Sequence, residues 1–174
     1  MDKSTCCAFT GYRPEKFPFP FDTACAEYRA FENALTTSII AANAAGYRTF
    51  YSGVARGFDL LAAELVLMLR ESGKPLSLCC VLPFRDQCHG WPLDWQQRYL
   101  RVLKAADEVI VLSDAYSRGV YQKRNRYMIE HAAAVITYFD GQKGGTASTV
   151  QMAQRRGLTV INLADNYRQL TLFE

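Results

Sequence analysis

Two hydrophobic patterns alternate along this chain. In short runs the apolar residues are nearly continuous, as in 79–82 and 109–112, which is typical of strands buried on both faces of a parallel sheet. Between these runs, apolar residues recur every three or four positions, which indicates amphipathic helices. The predicted strands are 5–10, 48–51, 76–82, 108–112, 134–139 and 158–163. The helical stripes are Tyr28, Phe31, Leu35 and Ile39, then Leu61, Leu65, Met68 and Leu69, and finally Trp95, Tyr99, Val102 and Leu103.

The regular alternation of strands and helices predicts an α/β fold. We expect a Rossmann-like, doubly wound and mostly parallel sheet of about six strands, with helices on both faces and right-handed crossovers. A chain of 174 residues fits a single domain with a substantial core. That domain is predicted to have its core at 5–163 and a short tail at 164–174.

Composition adds little to this picture. The chain is 49% hydrophobic and 21% charged, as in ordinary soluble globular proteins. A net charge of +3 allows a local basic patch but does not indicate a protein that coats nucleic acid. No apolar run approaches the ~18 residues that a membrane span needs, and the N-terminus lacks a signal-peptide core. We therefore expect no membrane partner and a cytoplasmic location.

The six cysteines indicate neither disulfides nor a metal site. Cys6-Cys7 and Cys79-Cys80 are adjacent pairs within strands, where neighbouring side chains point to opposite faces. The one ligand-like cluster, Cys88-His89 near Asp86, lacks the usual ligand spacings. We expect reduced thiols and no bound metal.

Chemistry-bearing residues gather where the predicted strands end, which is the edge at which doubly wound folds bind ligands. The second strand runs into Ser52-Gly53-Val54-Ala55-Arg56-Gly57-Phe58-Asp59 and then directly into a helix. Glycines allow close approach to the backbone, and a helix start offers free N–H groups to a phosphate. In this interpretation the amides between Gly53 and Gly57, including that of Ala55, hold the anion; the alternative is that the glycines form a tight structural turn with no ligand. Ser52 adds a hydroxyl and Arg56 a charge, whereas Asp59 either binds a ribose hydroxyl or caps the helix.

Three further stretches end at the same edge. Gly144, Gly145, Thr146 and Ser148 stand between a strand and a helix, and they either bind an anion or form a hydroxyl-rich helix cap. Earlier in the chain, the basic residues at 122–126 stand at the start of another predicted helix, where their charge opposes the helix macrodipole. This arrangement indicates that Arg124, Asn125 and Arg126 bind an anion. After the first strand come Gly11, Tyr12 and Arg13, where Arg13 is suited to a phosphate and Tyr12 either stacks on a base or packs on Pro14.

Evidence for catalysis is thin. Glu64 and Asp59 are weak candidates for a buried acid, and the catalytic residues are unknown. Neither G-x-G-x-x-G nor G-x-S-x-G occurs, which disfavours an ordinary NAD-type site and an α/β-hydrolase.

Taken together, these motifs resemble the SLOG superfamily, which includes bacterial DNA-processing protein A and the "Lonely guy" phosphoribohydrolases. Residues 52–59 are similar to the DNA-processing protein's S-G-L-A-R-G-I-D, differing at Val54 and Phe58, and 124–126 resemble its R-N-R. Residues 144–148 are similar to the phosphoribohydrolases' G-G-x-G-T. The G-Y-R-P-E-K at 11–16 is similar to the opening motif of the YpsA-type branch (DUF1273). That branch also has a tryptophan followed by short R-Y and A-D motifs, which resemble Trp95, Arg98-Tyr99 and Ala106-Asp107 here. The resemblance covers about 5–163.

The resemblance implies a Rossmann-like fold that binds a nucleotide or a nucleotide derivative such as ADP-ribose at its glycine-rich loops, and it makes a homodimer plausible. The phosphoribohydrolases carry a glutamate soon after G-G-x-G-T, whereas this chain has Val150 and Gln151. Neither side chain can act as a general acid or base.

Our leading hypothesis is therefore a nucleotide-ligand sensor or regulator with no certain cofactor. Its alternative is a nucleotide N-glycosidase that uses Glu64 or Asp59. A third hypothesis, single-stranded DNA binding through Lys123, Arg124 and Arg126, is not favoured by the charge balance.

Overall fold

The computed structural model describes residues 2–165, and the last nine residues of the predicted tail lie outside them. The six strands of this part are β1 Cys6–Thr10, β2 Thr49–Ser52, β3 Ser77–Leu82, β4 Glu108–Val111, β5 Ala134–Thr137 and β6 Thr159–Asn162. The α-helices are α1 Ala26–Ala44, α2 Phe58–Glu71, α3 Leu93–Ala105, α4 Val120–Glu130 and α5 Gly145–Arg155. Two 3-10 turns, Lys3–Thr5 and Pro14–Lys16, flank β1.

All six strands are parallel and follow the order β4-β3-β2-β1-β5-β6. The chain builds outward from β1 to β4, then returns through α4 to the opposite side of β1 and continues with β5. The direction of winding thus reverses between β1 and β5, where Thr10 pairs with Thr137 at the carboxyl ends. This arrangement confirms the predicted doubly wound α/β fold and opens a crevice at that point.

Helices cover both faces of the sheet. The larger apolar cluster contains α1, α2 and α3, with Phe9, Phe31, Phe50 and Phe58 fully or almost fully buried at its centre. The smaller cluster lies under α4 and α5 and includes Met128, Ile129 and Ala153. The four inner strands are buried on both faces because each is covered by both helical layers.

Two predictions made from the hydrophobic pattern were wrong. The run at 109–112 predicts a strand buried on both faces, but β4 is a sheet edge, and Val109 and Val111 are 41% and 36% exposed. Met68 belongs to the predicted stripe of α2 yet is half exposed. In both cases an apolar residue stands where no second layer covers it.

The cysteines carry no cross-links. All six are free thiols, and four of them are buried in the strands. Burial raises the pKa of Cys7 and of Cys80 to about 12, so both thiols stay protonated and act as small apolar side chains.

Candidate functional site

A cavity of about 240 Å³ lies at the carboxyl edge of the sheet, in the crevice between β1 and β5. Four segments line it: the end of β1 with the loop after it, the loop into α2 with the first turn of that helix, the first half of α4 and the start of α5. The lining residues are Thr10, Gly11, Tyr12, Arg13, Lys16, Ala55, Asp59, Tyr121, Arg124, Asn125, Gly145 and Thr146. The structure thus brings together residues from all four of the predicted stretches.

The loop at 52–59 is tied to the protein itself. Ser52 Oγ donates to the Asp59 carbonyl at 2.7 Å and accepts from the Val54 amide at 3.0 Å. At the start of α2, the Phe58 amide donates to the Tyr12 carbonyl at 3.0 Å, and the Leu60 amide donates to that of Ala55. The amides of Val54, Phe58 and Leu60 therefore already have protein acceptors. Of this loop, only Ala55 and Asp59 line the cavity.

The two glycines of the loop make room for protein groups. A Cβ on Gly53 would lie 1.5 Å from Arg124 Nη1, and one on Gly57 would lie 2.6 Å from the Tyr12 carbonyl oxygen. Gly57 also has a φ of +93°, which L side chains rarely adopt. Arg56 pairs with Glu15 at 2.7 Å and lies outside the cavity lining.

Asp59 and Arg124 form a buried ion pair at the cavity floor. Their side chains are each 7% exposed, and Arg124 Nη1 lies 3.7 Å from Asp59 Oδ2. Arg124 Nε donates to Asn125 Oδ1 at 2.7 Å, but Arg124 Nη1 and Asp59 Oδ1 have no hydrogen-bond partner among the described residues. Gly57, not Asp59, is the N-cap of α2, so the capping interpretation of Asp59 is wrong.

Burial moves both members of this pair toward their neutral forms. It raises the pKa of Asp59 to about 6, although the charges of Arg124 and Arg13 and the nearby amides of Gly11 and Ala55 act in the opposite direction. Burial also lowers the pKa of Arg124, against the attraction of Asp59. Both charged groups have therefore lost favourable hydration on burial, as is usual for buried ion pairs.

We expect Asp59→Asn to remove a pH dependence of stability. The folded pKa of about 6 lies above the ordinary value of 3.8, so protonation stabilises the folded state. This contribution is complete below pH 3.8 and is lost as the pH rises through about 6. Urea unfolding from pH 4 to 7 should show wild type losing about 1–3 kcal/mol relative to the variant. Parallel pH profiles for the two proteins would contradict the shifted pKa.

The residues of the loop after β1 have different roles. The Tyr12 ring is buried between Phe17 and Tyr138, and its hydroxyl donates to Asp140 at 2.6 Å. This placement favours the packing interpretation over base stacking, with aromatic partners in place of Pro14. Arg13 and Lys16 are exposed and line the cavity. Lys16 was missed as a site residue; the signal was its place in the G-Y-R-P-E-K stretch, which folds back in the turn Pro14–Lys16.

Helix α5 begins at the cavity. Gly144 is its N-cap with a φ of +147°, and Gly145 and Thr146 line the cavity wall. Thr146 Oγ1 donates to the Gly11 carbonyl at 3.0 Å, which joins the loops after β1 and β5. Because the first amides of a helix have no intrahelical acceptor, this helix start remains suited to an anion.

The basic residues at 122–126 do not act together. Helix α4 begins at Val120, two residues before this stretch, so the predicted helix start and the macrodipole argument built on it are wrong. Arg124 alone among the cations of this stretch lines the cavity. Lys123 donates to the Leu112 carbonyl at 2.8 Å, and Arg126 is exposed on the helix surface.

The second candidate acid lies elsewhere. Glu64 accepts two hydrogen bonds from Arg98, at 2.8 and 2.7 Å, on the surface between α2 and α3. Within residues 2–165, no three His, Cys, Asp or Glu side chains are grouped to hold a metal ion. No helix in the same range is long and apolar enough to cross a membrane.

Two structures of DNA processing protein A share this fold. The Streptococcus pneumoniae protein has a TM-score of 0.63 and 17% identity over 92% of this chain. The Helicobacter pylori protein, whose structure was solved for its single-stranded DNA binding mode, has a TM-score of 0.61 and 18% identity over 92%. This chain spans 50% and 65% of the length of these two proteins.

Sequence relatives are found among bacterial proteins. The chain is 30% identical to the prophage-derived protein YoqJ of Bacillus subtilis, over 61% of this chain and 69% of YoqJ. It is 27% identical to a UPF0398 protein of Bacillus cereus (strain AH187), over 86% and 83% of the two chains. The model of the YspA SLOG family (YpsA) matches residues 7–165. The chain therefore belongs to this YpsA-type SLOG family, as its motifs predict.

Proposed function

We propose that this protein binds a nucleotide or nucleotide derivative in the cavity between β1 and β5. The observation that carries the proposal is the convergence of Arg13, Lys16 and Arg124 with the start of α5 on one cavity. Arg124 supports it further, because this side chain is 7% exposed and its Nη1 has no hydrogen-bond partner among the described residues. A phosphate oxygen is the acceptor that such groups share.

The charge balance of the cavity favours an anionic ligand. Three cations and the single carboxylate of Asp59 leave a formal charge of +2 in its lining. Because Asp59 lies beside Arg124, a phosphate is held best by Arg13, Lys16 and the amides at Gly145 and Thr146, away from the carboxylate. Gly53 and Gly57 then act indirectly, by making room for Arg124 and for the loop after β1.

We propose a sensing or regulatory role for this binding. The positions where phosphoribohydrolases carry a glutamate hold Val150 and Gln151, and Val150 is buried. The charged groups of the cavity lining can hold a phosphate ester, and without that glutamate the ligand is expected to persist unchanged.

Binding can be tested with a panel of AMP, ADP, NAD and ADP-ribose by thermal shift and calorimetry. We expect at least one to bind, and Arg13→Ala or Lys16→Ala to weaken its binding by about tenfold, since a charge-assisted phosphate contact contributes on the order of 1.5–3 kcal/mol. Arg126→Ala is the matched control, because this exposed arginine lies outside the cavity lining. A panel without any response would refute the proposal.

Nucleotide N-glycosidic cleavage is the second candidate function, and Asp59 is the observation that favours it. Its carboxyl lies at the cavity floor with a pKa raised to about 6, which places it near the range useful for a general acid. Release of free base from nucleoside monophosphates, followed by chromatography, tests this function. Activity that Asp59→Asn abolishes would support it, and the absence of free base at high protein concentration would exclude it.

Single-stranded DNA binding is a property of the Helicobacter pylori protein. The cations that suggested it here do not act together, since Lys123 donates a hydrogen bond to the Leu112 carbonyl, and Arg126 is exposed whereas Arg124 is buried. We therefore do not extend that property to this chain.

A further inference from the structure

A second cavity of about 390 Å³ adjoins the first, in the groove between α4 and α5. The two cavities share Tyr121, Asn125 and Gly145. The start of α5 therefore stands between them, and a ligand anchored there by its phosphate can extend in both directions. The residues lining the second cavity are Tyr121, Gln122, Asn125, Gly144, Gly145, Ser148, Thr149 and Met152.

The second cavity differs from the first in its chemistry. Its lining contains no charged side chain, whereas the first cavity contains four. Its lining includes the aromatic residue Tyr121 of α4 and the half-buried Met152 of α5. Such a lining offers no cation to a second phosphate and suits a flat, neutral group.

Tyr121 is held in place from behind. Its ring centroid lies 5.9 Å from that of Phe84 and 6.4 Å from that of Tyr116, at tilted or edge-on angles. These contacts come from the loops after β3 and β4, on the far side from α5. The ring is therefore a supported surface at the junction of the two cavities.

Polar groups around the second cavity differ in their availability. Asn125 Nδ2 donates to Thr149 Oγ1 at 2.9 Å, and Thr149 Oγ1 in turn donates to the Gly145 carbonyl at 2.8 Å. Gln122, by contrast, has no side-chain hydrogen bond in the part of the chain that the structure describes. Its amide presents one donor group and one acceptor, as the edge of a nucleobase requires.

We propose that the second cavity is the nucleobase subsite of this protein. The base stacks on Tyr121 beside Met152, its polar edge faces Gln122, and the phosphate lies at the start of α5. This inference rests on the proposed nucleotide binding and names the part of the ligand that is recognised outside the charged cavity. Aromatic rings bind any base through its π face, so base selection falls to Gln122.

The test compares AMP with ribose 5-phosphate, which carries the same phosphate but no base. Calorimetry should show AMP binding more tightly, and Tyr121→Ala should weaken AMP about tenfold, equivalent to about 1.4 kcal/mol. For Met152→Ala, which alters only the second cavity, the affinity for ribose 5-phosphate should stay within about twofold. Tyr121→Phe keeps the ring and should retain the affinity for AMP, and Met152→Ala provides a second variant should Tyr121→Ala fail to fold.

Each other outcome has a distinct meaning. If ribose 5-phosphate binds as tightly as AMP in wild type, the base subsite is wrong while nucleotide-phosphate binding stands. If Tyr121→Ala weakens both probes equally, Tyr121 serves the charged cavity and the base subsite is again wrong. If neither these two probes nor any other member of the nucleotide panel binds to wild type or protects it against unfolding, the proposed function itself fails, and this inference fails with it.

Discussion

Arg124→Ala is expected to lower the free energy of unfolding by about 1–3 kcal/mol at pH 7, because Asp59, with its pKa of about 6, limits the electrostatic part to about 1.4 kcal/mol by taking up a proton. Asp59 is 7% exposed, and Arg124 Nη1 lies only 3.7 Å from its carboxylate. Without the guanidinium, the carboxylate must stay charged without a partner or take up a proton against its ordinary pKa of 3.8. Either course destabilises the folded state.

The size of this loss should depend on pH. Asp59 in wild type already has a pKa of about 6, so at pH 5 its carboxyl is mostly neutral with or without Arg124. The electrostatic part of the destabilisation should therefore be smaller at pH 5 than at pH 7. Urea unfolding of both proteins at the two pH values measures the difference.

Arg56→Ala is the matched control for Arg124→Ala. Arg56 also pairs with a carboxylate, that of Glu15 at 2.7 Å, but the two side chains are 19% and 58% exposed. Partly exposed pairs contribute about 0–1 kcal/mol, so Arg56→Ala should have a small effect at both pH values. An Arg124→Ala variant no less stable than Arg56→Ala at pH 7 would contradict the buried, charged pair.

The order of elements could be predicted from the sequence, because strand and helix periods differ and each run is bounded by polar turns. All six predicted strands exist, and each of their ends agrees with the prediction to within two residues. The order of the strands in the sheet could not be predicted from the hydropathy pattern. The run at 109–112 is as apolar as a central strand, and only the position of β4 at the sheet edge leaves Val109 exposed.

The location of the candidate site could also be predicted, since parallel strands place their carboxyl ends at one edge. The partner of each polar group could not. In the sequence, a glycine beside a helix start looks the same whether it makes room for a phosphate or for a protein group. At Gly53 that group is the guanidinium of Arg124. Likewise, nothing local to Asp59 shows that an arginine of a distant helix will face its carboxyl. Such pairings are fixed by tertiary packing.

Gly53→Ala is expected to lower the free energy of unfolding by about 1–3 kcal/mol, the usual cost of overpacking. Gly53 is buried, and a Cβ there would lie 1.5 Å from Arg124 Nη1 and 2.3 Å from its Cζ. The backbone of Gly53 lies outside the left-handed region, so the effect is steric. The displaced guanidinium must leave the side of Asp59, so the buried ion pair is lost as well.

Gly145→Ala is the control for stability. A Cβ at Gly145 meets no atom within 4 Å, and its φ is not positive, so its free energy of unfolding should change by less than about 0.5 kcal/mol. Urea unfolding of the two alanine variants beside wild type makes the comparison. Equal stability of Gly53→Ala and Gly145→Ala would show that Arg124 does not occupy the space beside Gly53.

The double variant Gly53→Ala/Arg124→Ala separates the steric cause from any other effect at Gly53. Once the guanidinium is gone, the added methyl group has nothing to displace and partly fills the space left behind. The combined loss should therefore be smaller than the sum of the two single losses by about 1 kcal/mol or more, as for residues in direct contact. Additive losses would mean that Gly53 serves some purpose other than seating Arg124. A coupling of the expected sign would instead show that this glycine, near the start of the loop at 52–59, makes room for the ion pair at the cavity floor.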